Sequence, residues 1–301
     1  MDNLRGKLIV VRLLVILTCV VPAAHAQQQE PDFSKMDIKS TSLGNGIYAL
    51  EPTELRGGGD ITVSAGPDGI LIVDSGYEQM HAKVMAALAK ISNQPIRFIV
   101  NTHSHGDHSS GNALKAKAGA TVIANENLRK ELASASQAPA REGLPMMTFT
   151  DSMTLHFNGD EIYIFHPPVP AHTTGDTMVY FRRANVLSLG DTPSLLRYSG
   201  GQINGIIAAI EAMLKVTNPE TKIVPGHGSI FTTADLQKQH TMLAAVRDRI
   251  QKAIQSGQTL EQVVASKPTA DFDAAWSQGT PAGSADQWVT GVYRQLSGGR
   301  R

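Results

Sequence analysis

Asn101-Thr102-His103-Ser104-His105-Gly106-Asp107-His108 packs four side chains able to ligate a metal into six residues, directly after a strand-like segment. Ile96–Val100 predicts a buried strand, because it is short, β-branched and aromatic and follows the turn-prone Asn93, Gln94 and Pro95. The octapeptide is then the exit loop of that strand. In extended backbone alternate residues share a side, so His103 and His105 can meet one ion. Gly106 lets the chain turn, and Asp107 with His108 can then face a neighbouring ion. The competing reading is a polar loop that carries three histidines by chance. Ligand types and strand-to-loop position together favour a metal site, whose remaining ligands must come from elsewhere in the chain.

Residues 1–26 combine a basic start (Arg5, Lys7, Arg12), an apolar core from Leu13 to Val21 and a small-residue end at Ala24-His25-Ala26. This is the pattern of a cleaved secretory signal peptide. The apolar core is too short, and too closely followed by Pro22, for a membrane span. The expected mature protein is therefore exported, periplasmic and without stable membrane insertion. Cys19, the only cysteine, lies in this segment; a lipid anchor there is disfavoured by Thr18, where a small residue is expected. The mature chain then has no disulfide and no thiolate to offer a metal. Removing residues 1–26 takes away Asp2 and the three basic residues, so 27 basic and 27 acidic side chains become 24 and 26. That balance argues against a nucleic-acid partner. About 275 residues remain, enough for one large α/β domain with a full core.

Residues 27–42 are polar, include Pro31 and lack periodicity, which predicts a linker or arm ahead of a single domain over 43–301. Within that domain Gly46–Leu50, Asp60–Ala65 and Gly69–Asp74 read as short strands. Gly76–Ile91 reads as a helix with Met80, Val84, Ala87, Leu88 and Ile91 on one face. After the metal loop come a helix over Ser109–Ala118 with Ser109 or Ser110 as cap, a strand at Thr121–Ala124 and a helix at Glu126–Ala135. Strands restart at Met153–Phe157, Glu161–His166, Thr177–Phe181 and Asn185–Leu189, with a tight turn at Asn158-Gly159-Asp160. Helices at Gln202–Val216 and Thr232–Ser256 bracket a strand at Lys222–Val224, and helical stretches at Leu260–Ala265 and Asp286–Leu296 follow. Strands with helices, twice over and with no dividing linker, predict one four-layer α/β domain of two similar halves.

Three later stretches each set a ligand-type residue beside or just past a strand: Pro170-Ala171-His172-Thr173-Thr174-Gly175-Asp176, Leu189-Gly190-Asp191-Thr192 and Pro225-Gly226-His227-Gly228. Singly, each reads as an ordinary turn. Together with the opening run they place His105, Asp191 and His227 past the carboxyl ends of strands, where functional groups of open α/β sheets gather. The ordered set His-x-His-x-Asp-His, His-Thr-x-Gly-Asp, Gly-Asp and Pro-Gly-His-Gly resembles the metallo-β-lactamase superfamily of binuclear metallohydrolases. The resemblance runs from about Gly46 to about Leu243 and implies the αβ/βα sandwich of that family. It also implies that His103, His105 and His172 bind one zinc, that Asp107, His108 and His227 bind the second, and that Asp191 bridges them. Asp191 in place of a cysteine is more like the thioesterases and lactonases of the family than its cysteine-using β-lactamases. His105 and the lack of a flavin domain set the chain apart from the redox members.

Imidazoles and carboxylates suit zinc, so the expected cofactor is two Zn2+. A water shared by both ions, its pKa lowered towards about 7, is the expected nucleophile. Asp107 is the catalytic candidate, orienting that water and carrying a proton to the leaving group. The expected reaction is hydrolysis of a small carbonyl substrate: an ester, thioester, lactone or lactam. β-Lactam hydrolysis is the named alternative; a non-catalytic metal-binding module is a second, disfavoured because all seven ligand positions are filled. Tyr198 and His166 are candidate pocket residues, and Thr173 and Thr174 candidate braces through hydroxyl contacts to backbone. His81, His156 and His240 fall in helix or strand patterns that suit surface or packing roles. Oligomeric state is not legible in these residues.

Overall fold

Gly69–Val73 is buried at every position: Leu71 and Val73 join one apolar cluster, Ile70 and Ile72 another. A strand with two apolar faces must be covered on both sides. In a computed structural model, which describes residues 32–54, 58–193, 201–276 and 284–298, two sheets supply that cover together with helices. The first has seven strands in chain order: β1 (Ile38–Gly44), β2 (Ile47–Pro52), β3 (Ile61–Gly66), β4 (Gly69–Val73), β5 (Ile96–Val100), β6 (Thr121–Asn125) and β7 (Met147–Phe149). The second comprises β8 (Ser152–Phe157), β9 (Asp160–Phe165), β10 (Met178–Phe181), β11 (Val186–Ser188), β12 (Lys222–Val224) and β13 (Phe231–Thr232), in the spatial order β13-β12-β11-β10-β9-β8. β4 to β7 pair in parallel, as do β11 and β12; the other pairs are antiparallel.

The first half carries α1 (His81–Ala89), α2 (Gly106–Ser109), α3 (Asn112–Lys117) and α4 (Glu126–Ser134). The second carries α5 (Ile203–Val216), α6 (Thr233–Gln255), α7 (Leu260–Ala265), α8 (Asp273–Trp276) and α9 (Ser284–Leu296). The layers follow from three apolar clusters. Leu71, Val73, Val100 and Ile123 of the first sheet meet Ile162, Ile164, Val179, Phe181 and Val224 of the second. Ile70, Ile72 and Ile99 face Val84 and Leu88 of α1. Leu187 and Ile223 face Ile206, Ile210 and Met213 of α5, with Leu236, Val246 and Ile250 of α6 beyond. Each fully buried side chain of this size contributes about 1.5–3 kcal/mol, so the three interfaces dominate the energetics of the fold. The result is a four-layer α/β sandwich.

Four features differ from the sequence expectation. The arm expected to run to residue 42 gives way at Ile38 to β1, which pairs with β2 over Ile38–Gly44. Its residues are mostly exposed and polar, so ladder hydrogen bonds rather than apolar alternation hold it. The helix expected over Ser109–Ala118 is split, because α2 ends at Ser109 and α3 starts at Asn112. Ser109 and Ser110 do not cap α3; their hydroxyls turn back to the Ser104, His105 and Gly106 carbonyls. β7, β13 and α8 are too short for a periodicity to announce them.

Candidate metal centre

Parallel pairing of β4, β5 and β6, and of β11 with β12, sends the loops leaving these strands to shared sheet edges. His103 and His105 follow β5, with His105 as the N-cap of α2, whose first turn carries Asp107 and His108. His172 lies on the loop from β9 to β10, and Asp191 and His227 each stand three residues past β11 and β12. The seven sequence-predicted candidates converge in two groups, His103, His105, His172 and Asp191, and Asp107, His108 and His227. Within each group the available ligand atoms lie within 4.8 Å of one another.

Asp191 joins the groups through its two oxygens. Oδ2 stands 3.9 Å from His103 Nε2 and 3.7 Å from His172 Nε2, whereas Oδ1 stands 3.5 Å from His108 Nε2 and 3.6 Å from His227 Nε2. Asp107 Oδ2 lies 3.4 Å from His108 Nε2 and 3.0 Å from His227 Nε2. Most of these spacings are too long for hydrogen bonds. Accordingly, the buried atoms His103 Nε2, His108 Nε2 and Asp191 Oδ1 find no hydrogen-bond partner among the described residues. Each such orphan costs about 1–3 kcal/mol, a penalty that a cation between them removes. Burial, orphaned nitrogens and facing carboxylates together fit metal ions. His105, the most exposed of the set, leaves the first group open to solvent.

The ring protons are fixed by neighbours. Thr102 Oγ1 donates to Asp74 Oδ2 at 2.7 Å, so its lone pair receives the His103 Nδ1 proton at 3.0 Å. His108 Nδ1 donates to Asp74 Oδ2 at 2.7 Å, and the Thr102 N–H donates to Oδ1 at 2.7 Å. Both imidazoles thus turn Nε2 towards the centre, the orientation a metal ligand needs. Asp74 was not singled out in the sequence. It ends β4 as Asp191 follows β11, so the strand-edge rule that selected Asp191 would also have selected it; its φ of 68° marks it further. Asp176 does similar work for His172, accepting from the backbone N–H of His172 at 2.8 Å and from Thr173 N and Oγ1.

Burial holds the His103 imidazole well below its ordinary pKa, aided by the neighbouring histidines, and lowers His105 in the same way. Burial opposes the charge on His108, yet the Asp74 carboxylate, the close Asp107 carboxylate, the hydrogen bond to Asp74 and Asp191 outweigh it and raise its pKa well above normal. Burial likewise opposes ionisation of Asp107, but the His108 and His227 imidazoles beside it hold its carboxyl well below the usual range.

Gly226 permits this crowding. A Cβ built there would lie 2.0 Å from Asp191 Oδ1 and 2.6 Å from the Gly190 carbonyl carbon. We expect Gly226→Ala to displace Asp191 and lower kcat/KM by about 10–100-fold, the scale of changes that misorient a ligand. Steady-state kinetics at unchanged Tm checks this, and a full rate would refute it.

The remaining candidates divide. His166 stands one step back, its Nδ1 donating to the Asp176 carbonyl at 2.6 Å. Tyr198 lies outside the described residues. Thr173 and Thr174 do brace the loop: the Thr173 hydroxyl accepts from the Gly175 backbone N–H at 3.2 Å, as expected, and donates to Asp176, whereas the Thr174 hydroxyl donates to the Glu131 carboxylate. His156 is exposed on β8, and His240 Nε2 lies 3.2 Å from Glu211 Oε1, away from the centre.

A family model described as the metallo-beta-lactamase superfamily matches residues 56–227, more than half the chain. The chain belongs to this superfamily. Its curated relatives include a hydroxyacylglutathione hydrolase of Polaromonas sp., 26% identical over 156 residues, which make up 50% of this chain and 55% of the relative. Another hydroxyacylglutathione hydrolase, from Pelagibacter ubique, is 29% identical over 171 residues, 56% of this chain and 64% of that one. A linear primary-alkylsulfatase of Pseudomonas sp. shares 48% identity over 46 residues only, 15% of this chain and 9% of that one. The chain thus spans little more than half the length of the hydroxyacylglutathione hydrolases it matches. Among solved structures, a metallo-beta-lactamase from Pontibacter korlensis superposes with a TM-score of 0.57 at 18% identity, covering 69% of this chain and 99% of that one. The DIM-1 metallo-beta-lactamase gives the same TM-score and identity, covering 69% and 97%. At this identity the two superfamily members share the fold with this chain.

Proposed function

We propose that this superfamily member is an exported dizinc hydrolase of a small carbonyl substrate, with thioesters and esters ahead of lactones and lactams. The observation that carries the reading is the Asp191 carboxylate, whose two oxygens face separate histidine groups in a chain whose only cysteine is Cys19. The two hydroxyacylglutathione hydrolases, whose substrate by name is a thioester, support the order of preference. Export rests on the basic, apolar and small-residue pattern of residues 1–26.

His103, His105 and His172 would hold one zinc and Asp107, His108 and His227 the other, with Asp191 between. When bound, such ions lower the pKa of a water and polarise a carbonyl oxygen. The chain's own residues do the rest. Asp74, through Thr102 and His108, fixes which ring nitrogens face the centre. Asp107 stays ionised and accepts a hydrogen bond from the attacking water, orienting its lone pair. Its low proton affinity makes any proton it takes up transient, which favours release to the leaving group. Beside His227 a cavity of about 190 Å³, bordered by Glu51, Glu54, Asp60 and Ser229, takes one end of a small substrate.

The test is a hydrolysis panel of a thioester, an acyl lactone, a cephalosporin, a carbapenem, a phosphodiester and a primary alkyl sulfate, with zinc measured before and after chelation. Two zincs, turnover of at least one carbonyl substrate, and loss of both with a chelator are the expected outcome. Activity confined to the phosphodiester or the sulfate overturns the carbonyl reading. Absence of bound metal after purification with zinc overturns the centre itself.

A further inference from the structure

Each ligand group needs something to hold its loops at the right separation, and the two groups are held differently. Asp74 serves His103 and His108 from beneath β4. The contact between His105 and His172, whose Nδ1 and Nε2 stand 3.2 Å apart, joins loops that are 67 residues apart in sequence. α4 lies against both of those loops.

Glu131 of α4 accepts from Ser104 Oγ at 2.6 Å on Oε2. On Oε1 it accepts from the Thr174 N–H at 3.1 Å and from the Thr174 hydroxyl. Ser104 sits between His103 and His105, and Thr174 is two residues past His172. One carboxylate therefore ties together the two loops that supply the three imidazoles of the first group. The rest of α4 supports the arrangement. Asn127 Nδ2 donates to the Thr174 carbonyl at 3.1 Å, and Gly175 lies so close that a Cβ there would be 2.5 Å from the Leu128 nitrogen. Ser109 Oγ holds the Ser104 carbonyl from the other side at 3.1 Å. Lys130, the neighbouring base on α4, pairs with Glu126 instead of Glu131. The Glu131 charge is spent on the loop donors, and bonds to an ionised acceptor are about twice as strong as neutral ones.

We infer that Glu131 is a positioning residue for the first ion, setting the spacing of His103, His105 and His172; the inference rests on the metal-centre reading above. It touches no substrate and acts through Ser104 and Thr174. Among the described residues, the hydrogen bonds of Asp107, His108 and His227 do not involve α4, so the effect of losing Glu131 is selective for one of two ions.

Zinc stoichiometry and competitive-chelator titration of the full chain, with Tm alongside, test this for wild type, Glu131→Ala and Glu131→Gln. In Glu131→Ala one ion should weaken about 10–100-fold, the range seen when an outer partner of a ligand is removed, while the other is retained. Glu131→Gln should recover most of the loss, since its amide oxygen accepts from Thr174 and its NH2 donates to a reoriented Ser104 hydroxyl. Unchanged affinity for both ions in Glu131→Ala overturns the inference alone. So does an equal weakening of both ions that tracks a fall in Tm, the mark of a merely structural role. A wild type that binds no zinc overturns the metal-centre reading together with this one.

Discussion

Asp191→Ala is expected to lose one zinc equivalent and at least about 100-fold in kcat/KM, because removing a shared ligand exceeds the 10–100-fold cost of removing an outer partner. The side chain is nearly buried and makes no hydrogen bond through Oδ1, so its loss leaves the protein foldable. What disappears is the carboxylate within 4 Å of Nε2 of both His103 and His172, and one of the two carboxylates, with Asp107, that lie within 4 Å of Nε2 of His108 and of His227. Without it, five imidazoles would have to hold two dications with Asp107 as the one carboxylate left among the candidate ligands. Elemental analysis and steady-state kinetics read the two effects separately. A variant that keeps two zincs and the full rate would refute the bridging role.

Asp74 is the second position of large effect, and here stability moves as well. Its carboxylate accepts from Thr102 N, Thr102 Oγ1 and His108 Nδ1, all buried and all at 2.7 Å. Asp74→Ala strands those donors; breaking a buried charged pair costs about 3–5 kcal/mol. Against a total of about 5–15 kcal/mol for a native domain, that is a large share. Asp74→Asn separates the hydrogen-bond chemistry from the backbone, since asparagine tolerates the positive φ of 68° at this position. It should stay folded while metal affinity falls about 10–100-fold, because one of the three donors now meets an NH2 group. Denaturant midpoints and chelator competition measure the pair. Equal midpoints for wild type and Asp74→Ala would sink the argument.

What could be read from the residues, and what could not, has a physical pattern. The strand entering the metal loop and the apolar faces of α1, α5 and α6 were legible because their burial is periodic. The convergence of His105, Asp191 and His227 could be anticipated because each follows a strand by a few residues. β1 was hidden by its polar, exposed composition, since an edge strand is defined by its neighbour's hydrogen bonds. Asp74, Glu131 and the carboxylate partners of Thr173 and Thr174 were hidden for another reason. Asp, Glu and Thr are ordinary surface residues, and partners such as Glu131 and Thr174 lie 43 positions apart. Only the folded chain reveals that pairing.

The main chain passes from the first sheet to the second once among the described residues, between Phe149 and Ser152. Each ligand group nevertheless draws from both sheets' loops: His103 and His105 with His172 and Asp191, and Asp107 and His108 with His227. A cation held by either group is thus a cross-link between halves that share a single covalent crossing. Ligand linkage then applies to the fold itself, at about 2.7 kcal/mol for each ion present at a hundredfold its dissociation constant. The free-metal concentration around the protein would then act as a thermostat on the folded population, so that starvation for the metal would shorten the lifetime of the fold.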